Sequence, residues 1–156
     1  MPHVRPFRPT DGPALVDLHT SAILAIPDSF YAPKLKRSWA HGLRPEGYAG
    51  QQGVFEVVAD DEDRAVAFCH AVGDEVVGLY VHPQWQGRGT GKLLLERAER
   101  RIGAEGHDRV QIKASLNARR FYEAQGYALV DTTEHKTRGG LMLACLLLEK
   151  RIVTSR

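Results

Sequence analysis

Between Gln86 and Lys92 the chain reads Gln-Gly-Arg-Gly-Thr-Gly-Lys. Glycine lacks a Cβ, so successive backbone N–H groups can turn toward one point. A helix that starts on such a loop adds the unpaired N–H groups of its first turn and a partial positive charge. Together these make a cradle for an anion, phosphate above all. Arg88 and Lys92 add formal positive charge beside it. Two familiar phosphate loops do not fit these letters. A P-loop needs G-x-x-x-x-G-K followed by Ser or Thr, but Gln86 stands at its first glycine and Leu93 follows Lys92. A dinucleotide fingerprint needs G-x-G-x-x-G. Its last glycine would fall on Lys92 or Leu94. The pattern that fits is Q-x-x-G-x-G, carried by Gln86, Gly89 and Gly91.

The elements that must hold this loop follow from periodicity and turn residues. Glu75 to Val81 reads as the strand that enters it, and about Gly89 to Ile102 as the helix that leaves it. Leu94, Leu95, Ala98 and Ile102 form a buried stripe on that helix, and Gly103 is expected to end it. Upstream, Val4 to Arg8 predicts a first strand, and Thr10 or Asp11 the cap of a helix that Pro27 stops. A short helix follows around Leu35 to His41. Phe55 to Ala59 and Ala65 to Val72 read as strands, with Gly73-Asp74 as a hairpin turn into Glu75. Downstream come a strand at Val110 to Lys113 and a helix opened by Ser115 or Asn117 and stopped by Gly126. Tyr127 to Glu134 and Leu141 to Glu149 then make a closing hairpin around Arg138-Gly139-Gly140. This order predicts an α/β fold with a mixed sheet, and a right-handed crossover from residue 75 to 113.

Composition narrows the function classes. At 156 residues, with 43 % hydrophobic and 26 % charged side chains, the chain fits one domain, 1–156, and buries roughly 70 % of its extended surface. With 21 basic against 19 acidic residues the net charge is +2, which does not point to nucleic acid as a partner. The longest apolar stretch, Leu141 to Leu148, falls short of the about 20 residues of a membrane span. Met1 to Pro6 has no apolar run of the kind a signal peptide carries. Cys69 and Cys145 lack CxxC spacing, and the histidines lack metal-ligand spacing, so no metal is expected. The expectation is a cytoplasmic, reduced protein.

The Gln86 to Gly91 pattern follows a strand reading Leu79-Tyr80-Val81-His82-Pro83 and precedes Lys92-Leu93-Leu94-Leu95-Glu96. A second block runs Ala118-Arg119-Arg120-Phe121-Tyr122-Glu123-Ala124-Gln125-Gly126-Tyr127. In order and spacing the two blocks resemble the GNAT superfamily of acyl-CoA-dependent N-acetyltransferases, and the resemblance spans most of the chain. It implies the GNAT fold, a central mixed β-sheet of six to seven strands flanked by about four helices. It also implies acetyl-CoA as co-substrate, without a metal. The cofactor arm would pair with the strand backbone at Leu79, Tyr80 and Val81. The diphosphate would sit on Gln86, Gly87, Arg88, Gly89, Thr90, Gly91 and Lys92. Tyr122 matches the family's general acid, and Glu75, eleven positions before Gln86, the glutamate that serves as base in its histone-acetylating branch. Many members carry Asn seven residues before that Tyr. Here the place holds Ser115, with Asn117 five before; either could touch the cofactor arm or cap a helix. This segment looks like a bacterial branch that shares an early Tyr…Trp segment, here Tyr31 to Trp39.

The resemblance places the acceptor site on the first helices, their loop and the last hairpin. Phe30, Tyr31 and Trp39 are candidate walls, and Asp28 and Glu46 candidate attractors for a cationic amine. The implied reaction is direct transfer of acetyl to a primary amine of a small molecule or peptide. The alternative is a GNAT-like module that binds acyl-CoA without turnover. Family members are often homodimers, and Leu141 to Leu148 would suit either an interface or a buried strand.

Overall fold

The computed structural model describes residues 1–154. Its elements are β1 (His3–Pro6), α1 (Gly12–Leu24), α2 (Pro33–Ala40), β2 (Val54–Ala59), β3 (Ala65–Val72), β4 (Glu75–Val81), α3 (Thr90–Ala104), β5 (Arg109–Ser115), α4 (Arg119–Ala124), β6 (Ala128–Lys136) and β7 (Met142–Arg151). The strands form one seven-stranded sheet in the order β1-β2-β3-β4-β5-β7-β6. Every neighbouring pair is antiparallel except β4 and β5, which α3 joins in parallel. The α/β class and the mixed sheet are as the sequence predicts. No helix is long and apolar enough to cross a membrane among the described residues.

Helices cover both faces of the sheet. On one face the α3 stripe Leu94, Leu95, Ala98 and Ile102 packs with Val58, Val76, Val110 and Ile112. On the other, Leu15 and Leu18 of α1 meet Val57 and Phe68, while Ile23 and Trp39 meet Leu143 and Cys145. Burying each such aliphatic side chain contributes about 1.5–3 kcal/mol before entropy is set against it. Both cysteines are free and buried.

Three local expectations change. The first strand ends at Pro6, because Pro9 starts a 3-10 turn, Pro9–Asp11, ahead of α1. Asp11 does not cap α1. Its carboxylate accepts a paired bond from Arg5 at 2.8 and 2.9 Å and another from the Arg8 N–H at 2.8 Å. Burial opposes ionisation of Asp11, but these donors outweigh it and hold the carboxyl below its usual range. Gly103 lies inside α3, and a Cβ there would sit 2.6 Å from the Val153 carbonyl oxygen. That glycine serves close packing. The chain leaves the helix at Gly106, where φ is +96°.

Candidate functional site

The site begins where β4 and β5 stop pairing. Only Glu75 with Gln111 and Val76 with Ile112 are in register. Beyond them the strands part. On its other side β4 continues along β3, and the His82 N–H donates to the Val66 carbonyl at 2.9 Å. Bonding alternates along an antiparallel ladder, so the peptide groups of Leu79 and Val81 point away from β3, into the gap. The Gln86 side-chain amide donates to the Val81 carbonyl at 3.2 Å and fastens the loop to the end of the strand.

The loop itself turns on two glycines. Gly87 has φ +78° and Gly89, the residue before α3, has φ +79°. L-residues with side chains rarely adopt such values. A Cβ built on either glycine meets nothing within 4 Å. The requirement is therefore conformational, and the space in front of the backbone is open. A cleft of about 510 Å³ lies there. Leu79, Val81, Gln86, Gly87, Gly89, Thr90, Gly91 and Lys92 line it, with Asn117 and Tyr122 opposite. Trp85, Phe121 and Gln125 complete the wall. Open glycines, a helix start and exposed strand peptides are a fit for an extended ligand with a phosphate end. Arg88 leaves the group: its guanidinium stacks over the Trp85 ring, 4.7 Å from the centroid.

A narrow slot of about 60 Å³ runs between the parted strands, lined by Val76 to Tyr80 on β4 and Ile112 to Ser115 on β5. Tyr122 and Ala118 close one end, and both also line the larger cleft. The Tyr122 ring is buried, edge-on to Phe121 at 5.1 Å and to Tyr127 at 5.7 Å. Its hydroxyl has no hydrogen-bond partner in the protein among the described residues. Burial pushes its pKa well above the usual phenol value, so the group is a proton donor throughout the neutral range.

On the opposite sheet face the slot opens into a second cleft of about 570 Å³. Val77, Gly78 and Tyr80 line both. Its apolar walls are Trp39, Tyr48, Phe55, Phe68 and Tyr80; Arg44, Glu46, His135 and Arg138 stand among them. His19 is buried in the wall, its ring centroid 4.1 Å from that of Tyr80 and its Nδ1 3.1 Å from the Tyr48 hydroxyl. Burial, with the charge of Arg138 added, drives its pKa down to about 3. An unfolded histidine titrates near 6.5. Between those values the unfolded chain holds the extra proton, so this stabilisation is complete above about pH 6.5 and is lost as pH falls toward about 3. The loss is on the order of a few kcal/mol. Urea melts at pH 7 and pH 4.5 should show it, and His19→Gln should flatten the dependence; equal slopes in the two proteins would contradict the assignment.

Several expected residues take other places. Tyr80 was expected beside the cofactor arm, but its ring faces the second cleft and its backbone pairs with Phe68. The Tyr31 hydroxyl donates to the Ala144 carbonyl at 2.6 Å and accepts from the Leu116 N–H at 2.8 Å. It bolts β7 to the turn after β5 and lines neither cleft. Trp39, against which it packs, does line the second cleft. Phe30 is exposed, and Asp28 pairs with Lys36 at 2.8 Å. Ser115 lines the slot, and Asn117 the loop-side cleft. Glu75 starts β4 at the closed end of the gap. By register it shares a sheet face with Gly78 but lines neither cleft. His82 is occupied, its Nδ1 accepting from the Gln84 N–H at 3.1 Å.

Sequence reasoning missed His19 and Phe68 as cleft residues, and it gave the segments that hold Arg44, Tyr48 and Arg138 without singling these residues out. The two arginines had a signal, since both lie in loops beside the second helix and the last hairpin. Among the described residues no cluster of His, Cys, Asp or Glu could hold a metal ion.

Comparison with known proteins adds to this geometry. Residues 33–143 match a family model described as an acetyltransferase (GNAT) domain. An uncharacterized ycf52-like N-acetyltransferase of Prochlorococcus marinus is 34 % identical over 71 residues. That match takes in 42 % of this chain and only 39 % of the relative's length. A GCN5-related N-acetyltransferase from Rhodopseudomonas palustris has the same fold, with a TM-score of 0.89 at 24 % identity, over 97 % of this chain and 96 % of that one. The PaiA N-acetyltransferase of Thermoplasma acidophilum, solved in complex with coenzyme A, superposes with a TM-score of 0.74 at 16 % identity, over 97 % and 99 %.

Proposed function

The chain belongs to the GNAT acetyltransferase family, and from that membership we propose that it moves an acetyl group from acetyl-CoA to a primary amine. One observation carries the reading: the Tyr122 side chain stands where the loop-side cleft meets the slot that leads to the other face. A donor loaded from one side and an acceptor entering from the other would meet beside its hydroxyl. The coenzyme A held by the Thermoplasma acidophilum relative supports the choice of donor.

Acetyl-CoA is consumed in this reaction, so it is a substrate, and it supplies the acetyl group as a thioester. The N–H groups of Gly87 to Gly91 and the start of α3 bind its diphosphate. The free peptide groups of Leu79 and the N–H of Val81, whose own carbonyl is taken by Gln86, hold the arm, and the Val81 N–H polarises the thioester carbonyl, as an oxyanion hole does. The amine nitrogen forms its bond to the acetyl carbon as the carbon–sulfur bond breaks. Tyr122 gives its proton to the departing sulfur and regains one from solvent. The surplus proton on nitrogen leaves through water in the acceptor cleft; Glu75, outside the cleft lining at the strand start, takes it only by way of that water. The same reading makes the protein cytoplasmic, where thiols stay reduced.

No acyl-enzyme is needed. Cys69 is buried and its thiol is pushed up to about 12, and burial also raises Cys145. A buried, protonated thiol is a poor nucleophile. Thiol release measured while both substrates are varied should give intersecting lines, with no label left on the protein from acetyl-labelled donor. Parallel lines with a labelled enzyme would contradict direct transfer. Donor binding without thiol release from any amine would leave only a binding module.

A further inference from the structure

The cleft that would receive the amine carries cations that have no carboxylate partner among the described residues. Arg44 and Arg138 line it, and Lys34 and Arg37 line a groove next to it, between α2 and the β6–β7 turn. None of the four has a carboxylate within 4 Å among the described residues, whereas Arg5, Lys36, Arg97 and Lys150 each do. Arg138 is held in place: its Nη1 donates to the Trp39 carbonyl at 3.1 Å, and its stem packs at Gly42. Arg138 lines the cleft, and its other guanidinium N–H groups make no hydrogen bond within the protein among the described residues. Its charge reaches the floor, where it bears on His19, Tyr48 and Tyr80. Glu46 is the one acidic residue in the lining.

A cation-rich mouth over an aromatic floor suits a molecule with an anionic group at one end and an apolar body. We propose that the acceptor is a small amine that carries a carboxylate beside its amine-bearing carbon, as an apolar or aromatic amino acid does. This rests on the acyl-transfer reading above. A guanidinium with free N–H groups on one edge matches a carboxylate by paired bonds. Arg44 adds to the field that draws an anion in. The same charges disfavour an ammonium ion nearby, which shifts the bound amine toward the neutral form that attacks. A polyamine, with several ammonium groups and no anion, gains nothing here. The amine would point through the slot at Gly78 and Tyr80, toward Tyr122.

The test compares phenylalanine with phenylalaninamide, phenethylamine and an amidated peptide beginning with phenylalanine, by thiol release from acetyl-CoA. Phenylalanine should have a kcat/KM at least ten-fold above each carboxylate-free amine. Arg138→Gln should cut that preference about ten-fold, mainly through KM, and Arg44→Gln should cut it less. Both residues are at the surface, and melting temperatures of the variants confirm folding. Equal use of the carboxylate-free amines, or a preference that survives Arg138→Gln, overturns the substrate class and leaves acyl transfer standing. So does acetyl-CoA binding without thiol release from phenylalanine. If acetyl-CoA neither binds nor yields thiol with any amine, the acyl-transfer reading itself falls.

Discussion

Tyr122→Phe should lower kcat about 10²- to 10⁴-fold, the usual worth of a positioned general acid, with KM for acetyl-CoA nearly unchanged. Two features make the substitution clean. The Tyr122 hydroxyl has no hydrogen-bond partner in the protein among the described residues, so its removal orphans no other group. The ring keeps its edge-on packing against Phe121 and Tyr127. Stability should therefore stay within about 0.5 kcal/mol of the parent. A fall in activity with unchanged melting cannot come from misfolding. The pH profile adds a second check. Burial raises the Tyr122 pKa above its ordinary value, so the proton stays on through mildly alkaline pH, and an alkaline loss of rate below about pH 10 must come from another group. Wild-type rates in the phenylalanine variant would remove Tyr122 from the chemistry.

The loop-side cleft was legible in the letters because its requirements are local. Glycines at 87, 89 and 91, a strand before them and a helix after them lie within one stretch of chain, and the structure keeps them together around one cleft. The second cleft was legible only in part, at Trp39, Glu46 and the segments Ile23 to Tyr48 and His135 to Leu141, because the rest of it, His19, Phe68 and Tyr80, is brought in by the sheet and the first helix. Tyr80 shows the limit within a single strand. Adjacent residues point to opposite faces, so Leu79 and Val81 serve one cleft and Tyr80 the other, and which face binds what is a tertiary fact. Tyr31 shows it over distance. An aromatic in a loop reads as a pocket wall, but its hydroxyl joins Ala144 to Leu116, and neither partner is near it in sequence. Asp11 looked like a cap because it precedes a helix. Arg5, six positions back, holds it instead.

The second large effect concerns the loop. Gly89 sits at φ +79° immediately before α3. Valine is strained there by about 1–3 kcal/mol, since a β-branched side chain rarely tolerates left-handed backbone. The loop can relieve that strain only by rotating the peptides whose N–H groups face the cleft, which disperses the cradle. Gly91 is different. A Cβ there lies 3.4 Å from the Phe121 ring and 3.5 Å from the Val81 side chain, ordinary contacts with side chains that can adjust. Alanine at 91 also favours a helix over glycine by up to about 1 kcal/mol. Titration of acetyl-CoA into the wild-type protein, Gly89→Val and Gly91→Ala, followed by calorimetry, therefore addresses the cradle itself. Wild type and Gly91→Ala should bind with similar affinity, and Gly89→Val at least ten-fold more weakly while still folded. Undiminished affinity in Gly89→Val, or no binding by the wild type, would contradict the assignment of this loop to the diphosphate.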